Sequence, residues 1–197
     1  MSKNESSGCK PAKPSPFTIL VDSREQKPYR FSNLWTGKAG VSQKLEVTTK
    51  EVLLETGDYG IDGLPWVVIE RKSKSDLYSS ISKRRQNFEE RLERMSVFTL
   101  AEVVVESEWS EIWTNPPRFT KFNPKSLTRT ILAWRVRFPN VHWSFLPNRE
   151  SAESYTYRLL ERYWKDTTRR MAATQKVGAE SKLDDSDTID VEFTVRD

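Results

Sequence analysis

The sequence predicts an α/β fold in which a mixed β-sheet is flanked by helices. Short runs of β-branched and aromatic residues recur at 17–22, 66–69, 101–105 and 141–145, as buried strands do. Interleaved with them, apolar residues take helical spacing: Phe88, Leu92 and Met95; Leu127, Ile131, Trp134 and Phe138; Tyr155, Leu159 and Tyr163. The two signals alternate along a chain of 197 residues, a length that suits one domain.

Residues 1–16 are polar, hold three prolines and show no apolar periodicity; they read as a disordered lead-in to a domain spanning 17–171. The first strand, 17–22, ends by releasing Asp22, with Glu25 three residues on. Residues 27–40 are a loop with apolar Phe31, Leu34 and Trp35, and 44–48 and 52–54 are strand material leading into a hairpin. Asp62-Gly63 is the hairpin turn, pairing 56–61 with 66–71 in antiparallel fashion. Ser73 and Asp76 have capping-box spacing and open a helix. Residues 83–97 form the next helix, and 101–105 a central strand. A Pro-rich loop at 115–124 interleaves Arg118, Phe119, Lys121 and Phe122, a pattern suited either to base stacking or to anchoring the loop. Asn123 and Pro124 supply the N-cap and first position of a helix that Pro139 ends. A strand at 141–145 and a helix at 151–170 complete the domain. Residues 172–197 read as an acidic, disordered tail, in which Ile189-Asp190-Val191-Glu192-Phe193 alternates like a strand or a partner-binding peptide.

Charge is unevenly distributed. The chain carries +4 overall, but residues 173–197 carry −4, leaving +8 on the remainder, which favours a phosphate-backbone partner. Cys9 is the only cysteine and His142 the only histidine, which excludes intrachain disulfides and Cys/His zinc sites. His142 lies in an apolar run and reads as structural. No stretch approaches 18 apolar residues and no signal-peptide core opens the chain. The expectation is therefore an intracellular protein with no membrane partner: cytoplasmic and nucleoid-associated in a bacterium or phage, nuclear in a eukaryote.

The chemistry concentrates between Gly57 and Asp76. A strand of Trp66, Val67, Val68 and Ile69 ends in Glu70, Arg71 and Lys72. Residues two apart on a strand share a face, with Cα atoms about 6.6 Å apart, so Glu70 and Lys72 point one way and Arg71 the other. A carboxylate for a divalent cation beside a lysine for developing charge suits phosphodiester hydrolysis. Asp58 is the second candidate ligand, if the register allows. A plain two-residue turn pairs Asp58 with Val67 and puts the carboxylates on opposite faces. A three-residue loop, or a bulge at Pro65, pairs Asp58 with Val68 and puts them on one face.

The string GDY…VIERKSKSDL resembles the nuclease signature of the XPF family of structure-specific endonucleases, with Asp58, Glu70, Arg71, Lys72 and Asp76 on motif positions. Residues 19–25, ILVDSRE, are similar to the family's VD-x-RE motif, and 87–95, NFEERLERM, to its RF-x-EQ-x-x-RL helix, with Arg91 standing for Gln. The resemblance implies a restriction-endonuclease-like core. It also implies a DNA endonuclease using Mg²⁺ or Mn²⁺ and no small-molecule cofactor. Asp58, Glu70, Lys72, Arg71 and Asp76 would form the catalytic group. Asp58 and Glu70 would hold the ion, with Asp22 and Glu25 as further metal candidates, and Asp76 in a supporting role. Arg24, Lys74, Lys83, Arg84, Arg85 and Arg91 would face DNA. Relatives often add tandem helix-hairpin-helix units with Gly-rich turns; here only Gly178 follows Gly63, so branched or junction specificity transfers weakly, and a homodimer or partner protein stays open. The competing readings are a catalytically inactive DNA-binding subunit and a restriction- or resolvase-type nuclease of the same fold.

The charge opposition yields a test. Deleting residues 173–197 should tighten DNA binding, most strongly near 50 mM salt where screening is weak. Unchanged affinity there would reassign the tail as a linker or partner peptide.

Overall fold

The computed structural model describes residues 11–37, 42–118 and 123–184. Its strands are β1 (Lys13–Asp22), β2 (Trp35–Thr36), β3 (Gln43–Val52), β4 (Tyr59–Ile61), β5 (Leu64–Ser73), β6 (Leu100–Glu106) and β7 (Val141–Phe145). The helices are α1 (Lys74–Ile81), α2 (Arg85–Met95), α3 (Trp109–Thr114), α4 (Pro124–Arg137) and α5 (Arg149–Asp184). All seven strands join one sheet in the order β2-β3-β1-β4-β5-β6-β7. It is mixed: β5, β6 and β7 run parallel, while β4 pairs antiparallel with both β1 and β5.

Each face of the sheet carries its own core. Val68, Val103 and Val105 meet Leu77, Phe88, Leu92, Ile131 and Trp134 from α1, α2 and α4. Ile19, Val67, Ile69 and Val104 meet Tyr157 and Leu160 of α5, together with Tyr29, Phe31 and Tyr59. Alternation along β5 and β6 therefore feeds two apolar layers, which is why both strands read as continuous apolar runs.

Boundaries move in both directions. β1 begins at Lys13, inside the segment expected to be disordered; Pro14 falls at a register shift against β3, where a missing N–H is tolerated. The strand material expected at 44–48 and 52–54 forms one strand, β3, which ends at Val52 and leaves 53–54 outside it. α2 starts at Arg85, so Lys83 lies in a turn instead of on the helix. α3 was not anticipated, because only Ile112 of its six residues is buried and periodicity had little to register. α5 runs beyond Arg170 to Asp184, since Ala172, Ala173, Gln175 and Lys176 favour helix without needing burial. Residues 119–122 of the Pro-rich loop, and the Ile189–Phe193 alternation, lie outside the described residues. Among the described residues no helix is long and apolar enough to cross a membrane.

The hairpin register matters most. Ile61 pairs with Leu64 across a two-residue turn, yet two residues back Tyr59 pairs with Ile69. The strands slip by three residues at a bulge containing Pro65, not by the single residue expected. Three is odd, so the face inverts and Asp58 falls opposite Glu70. Gly57 makes the approach possible. It takes φ +76°, and a Cβ there would stand 2.2 Å from Val68 Cγ2 and 3.1 Å from Ile69 O. Gly63 takes φ +78° with nothing within 4 Å of a Cβ. The two glycines therefore separate backbone strain from collision. Gly63→Ala should cost about 1 kcal/mol. Gly57→Ala should cost about 2–3 kcal/mol or more, because a clash adds to the strain. Equal losses in urea unfolding would show that β5 yields freely at this point.

Candidate active site

β1, the start of β4 and β5 deliver three carboxylates to one face of the sheet. Val21 pairs with Tyr59, so Asp22 falls opposite Asp58, and the Asp22 N–H donates to Asp58 O at 2.9 Å. On the other side the Arg71 N–H donates to Asp58 Oδ2 at 2.7 Å, and the Asp58 N–H to Ile69 O at 2.8 Å. Asp22, Asp58 and Glu70 thus form a row across neighbouring strands, which stand about 4.8 Å apart. All three are buried, as are Arg71 and Lys72.

Glu70 Oε1 lies 2.7 Å from Lys72 Nζ and 2.7 Å from Arg91 Nη1. Its other oxygen, Oε2, is buried with no hydrogen-bond partner. Asp58 is held well above the ordinary carboxylate range, first by burial and then by the charge of Glu70, against the opposing Arg71 N–H bond. Lys72 Nζ sits 4.6 Å from the centroid of the Phe88 ring, an apolar lid on its cation.

Arg71 serves the opposite face. It makes paired bonds to Glu106 (Nε–Oε1 2.7 Å, Nη2–Oε2 2.9 Å) and reaches Glu25 at 3.5 Å. Arg149 also holds Glu106, at 3.1 Å, and donates to the carbonyls of Lys27 and Pro28. Both guanidiniums stand over the Tyr29 ring, which stacks on Tyr59. Glu25 thus pairs with Arg71 while lining the same cleft as the carboxylate row. Among the described residues no three His, Cys, Asp or Glu side chains gather into a ready metal cage; Asp22 is engaged by Arg24 and Glu70 by two cations.

An open cleft of about 1010 Å³ surrounds this row, with Arg24, Arg84 and Arg91 in its lining. Three other basic residues expected to face DNA are engaged elsewhere or lie in a turn. Lys74 pairs with Glu111. Arg85 donates to Thr130 and stacks on Trp134. Lys83 is exposed in the turn before α2. Asp76 caps: its N–H donates to Ser73 Oγ, which donates back to Asp76 Oδ2 at 2.6 Å. His142 is exposed on β7 and does not line the cleft. Sequence reasoning missed Glu106, although Val103-Val104-Val105-Glu106 repeats the pattern of Val67-Val68-Ile69-Glu70. Arg149 carried no such signal.

A family model described as "ERCC4 domain" matches residues 21–159. The chain belongs to this family of nuclease domains. Among solved structures it resembles XPF from Aeropyrum pernix at 21% identity, with a TM-score of 0.53 over 81% of this chain and 69% of that one. It resembles XPF from Aeropyrum pernix in complex with DNA at 18% identity and a TM-score of 0.53, covering 77% of this chain and 66% of that one. These likenesses establish the expected nuclease fold. No curated protein matched the chain.

The clamp behind the carboxylate row predicts unequal costs. Glu106→Ala strands the buried Arg71 guanidinium and should destabilise the protein by about 3–5 kcal/mol. Lys74→Ala, breaking a partly exposed pair with Glu111, should cost less than about 1 kcal/mol. Chemical denaturation reads both, and comparable values would mean that water reaches the clamp.

Proposed function

We propose that this chain is a divalent-metal-dependent DNA endonuclease, with Mg²⁺ or Mn²⁺ held by Asp58 and Glu70 and branched or junction DNA among the substrates to be tested. One observation carries the reading: two buried carboxylates face each other in a cleft lined by arginines, and Glu70 Oε2 has no partner. A dication between them would relieve both the unpaired oxygen and the repulsion that raises Asp58. Hard oxygen donors suit Mg²⁺ and Mn²⁺; Asp22, on the adjoining strand, would add a third only on release from Arg24. Such an ion supplies polarisation of the scissile phosphate and an activated water.

The protein's own groups do the rest. Lys72 carries its charge on the carboxylate face, where it can stabilise the phosphoryl oxygens as negative charge develops. The Arg71 N–H fixes the orientation of Asp58, while the Arg71 side chain, locked to Glu106, holds β5 in register. Arg24 and Arg84 offer contacts to the phosphate backbone. The +8 outside the acidic tail, and the DNA complex of a similar fold, support DNA as the substrate.

Labelled duplex, single-strand, flap and four-way substrates incubated with Mg²⁺, Mn²⁺ or chelator test the proposal. Asp58→Asn should lower cleavage by at least about a hundredfold, while DNA binding holds or strengthens because a charge facing the phosphates is lost. Lys72→Ala should lose cleavage and bind DNA more weakly. If wild type binds these substrates and cuts none with either metal, the protein is a binding subunit.

A further inference from the structure

We infer that Arg91 couples DNA binding to metal loading: in the free protein it neutralises Glu70, and a DNA phosphate entering the cleft draws it off, freeing that carboxylate for the cation. This deepens the metal-dependent reading above and rests on it.

Glu70 meets two cations through one of its oxygens. Lys72 and Arg91 both address Oε1 at 2.7 Å, while Oε2 has neither. Because both cations meet the same oxygen, loss of either still leaves Glu70 with one partner. They are not equally free to leave. The Lys72 side chain is 11% exposed, rises from β5 itself and is covered by the Phe88 ring. The Arg91 side chain is 38% exposed, reaches across from α2, lines the cleft and bonds through Nη1 alone.

The other arginines of the cleft are tied differently. Arg24 bonds both oxygens of Asp22 and the carbonyl of Leu54, pinning the loop after β3. Arg71 and Arg149 are committed to Glu106. Arg84 stands 3.9 Å from the half-exposed Asp76, outside the carboxylate row. Among the described arginines of the cleft, Arg91 alone is held only by a single bond to a candidate metal ligand.

Charge balance gives the exchange its direction. A dication added with Lys72 and Arg91 both in place would exceed the charge of Asp58 and Glu70. A phosphate that takes Arg91 brings its own negative charge and leaves Glu70 to the ion. Arginine suits the exchange, because its planar donors match phosphate as well as carboxylate. Linkage then requires reciprocity: DNA tightens metal binding, and metal tightens DNA binding by the same factor.

The test reads binding, not turnover. Mn²⁺ affinity of the full chain is measured by electron paramagnetic resonance of the free ion, without DNA and with a saturating phosphorothioate duplex that resists cleavage. Arg91→Gln should bind Mn²⁺ about tenfold more tightly than wild type without DNA, and DNA should improve wild-type affinity by a similar factor. In Arg91→Gln that improvement should fall below about twofold, and in chelator the slope of log affinity for DNA against log salt should shrink by about one. Arg91→Lys, which keeps the charge, should retain the coupling and shows that loss in Arg91→Gln is not a folding defect. Mn²⁺ affinity in Arg91→Gln equal to or weaker than wild type, or undiminished coupling to DNA, overturns the exchange. Absence of Mn²⁺ binding by wild type would instead overturn the metal-dependent reading, and the exchange with it.

Discussion

The bond from the Arg71 N–H to Asp58 Oδ2, 2.7 Å long, joins the two strands at the point on which the site depends. It forms only because β4 and β5 slip by three residues between the turn and Tyr59. Side chains alternate with period two, so an even slip would leave Asp58 and Glu70 on opposite faces and no shared site would exist. Gly57 belongs to the same constraint. Only a residue without a Cβ lets the chain pass Val68 closely enough for Asp58 to reach the backbone of β5.

β5 then divides its labour between two faces. Val68, Glu70 and Lys72 look towards α1, α2 and α4, while Val67, Ile69 and Arg71 look towards α5. The first set begins as core and ends as chemistry. The second begins as core and ends as a clamp. Asp22, Asp58, Glu70, Arg71 and Lys72 are all buried, and burying that many ionisable groups is costly unless each is paired. Arg71 is fully paired through Glu106 and Glu25, as structure requires. Glu70 keeps one oxygen unpaired and Asp58 rests on a single N–H, a deficit that sets the cleft face apart from the scaffold.

The loop after β1 is held by aromatic contacts more than by charge. Tyr59, the neighbour of Asp58, turns into the opposite core, accepts the Tyr29 N–H at 2.8 Å and stacks on its ring. Tyr29 in turn supports Arg71 and Arg149. One dipeptide, Asp58-Tyr59, thus sends a carboxylate into the cleft and an anchor beneath it. The wall carrying Glu25 and Lys27 is fixed to the strand that carries the carboxylates, so disturbing either face disturbs the other.

By itself the sequence determined the alternation of strands and helices, the capping of α1 and α4, the existence of the β4–β5 hairpin, and the opposed directions of Glu70 and Arg71. These follow from local rules: periodicity, capping chemistry and turn residues act within a few positions. It also presented the two possible faces of Asp58 without choosing between them. The choice lay in a bulge between Leu64 and Ile69 whose three-residue slip no local pattern encodes. The partners of Arg71 were equally out of reach, since Glu106 lies 35 residues away and Arg149 lies 78 residues away on another element. The diversion of Arg85 to α4 and of Lys74 to Glu111, when both were expected to face DNA, has the same origin. A positive charge is visible in a sequence, but whether it meets solvent, a carboxylate or an indole ring is decided only when the elements pack.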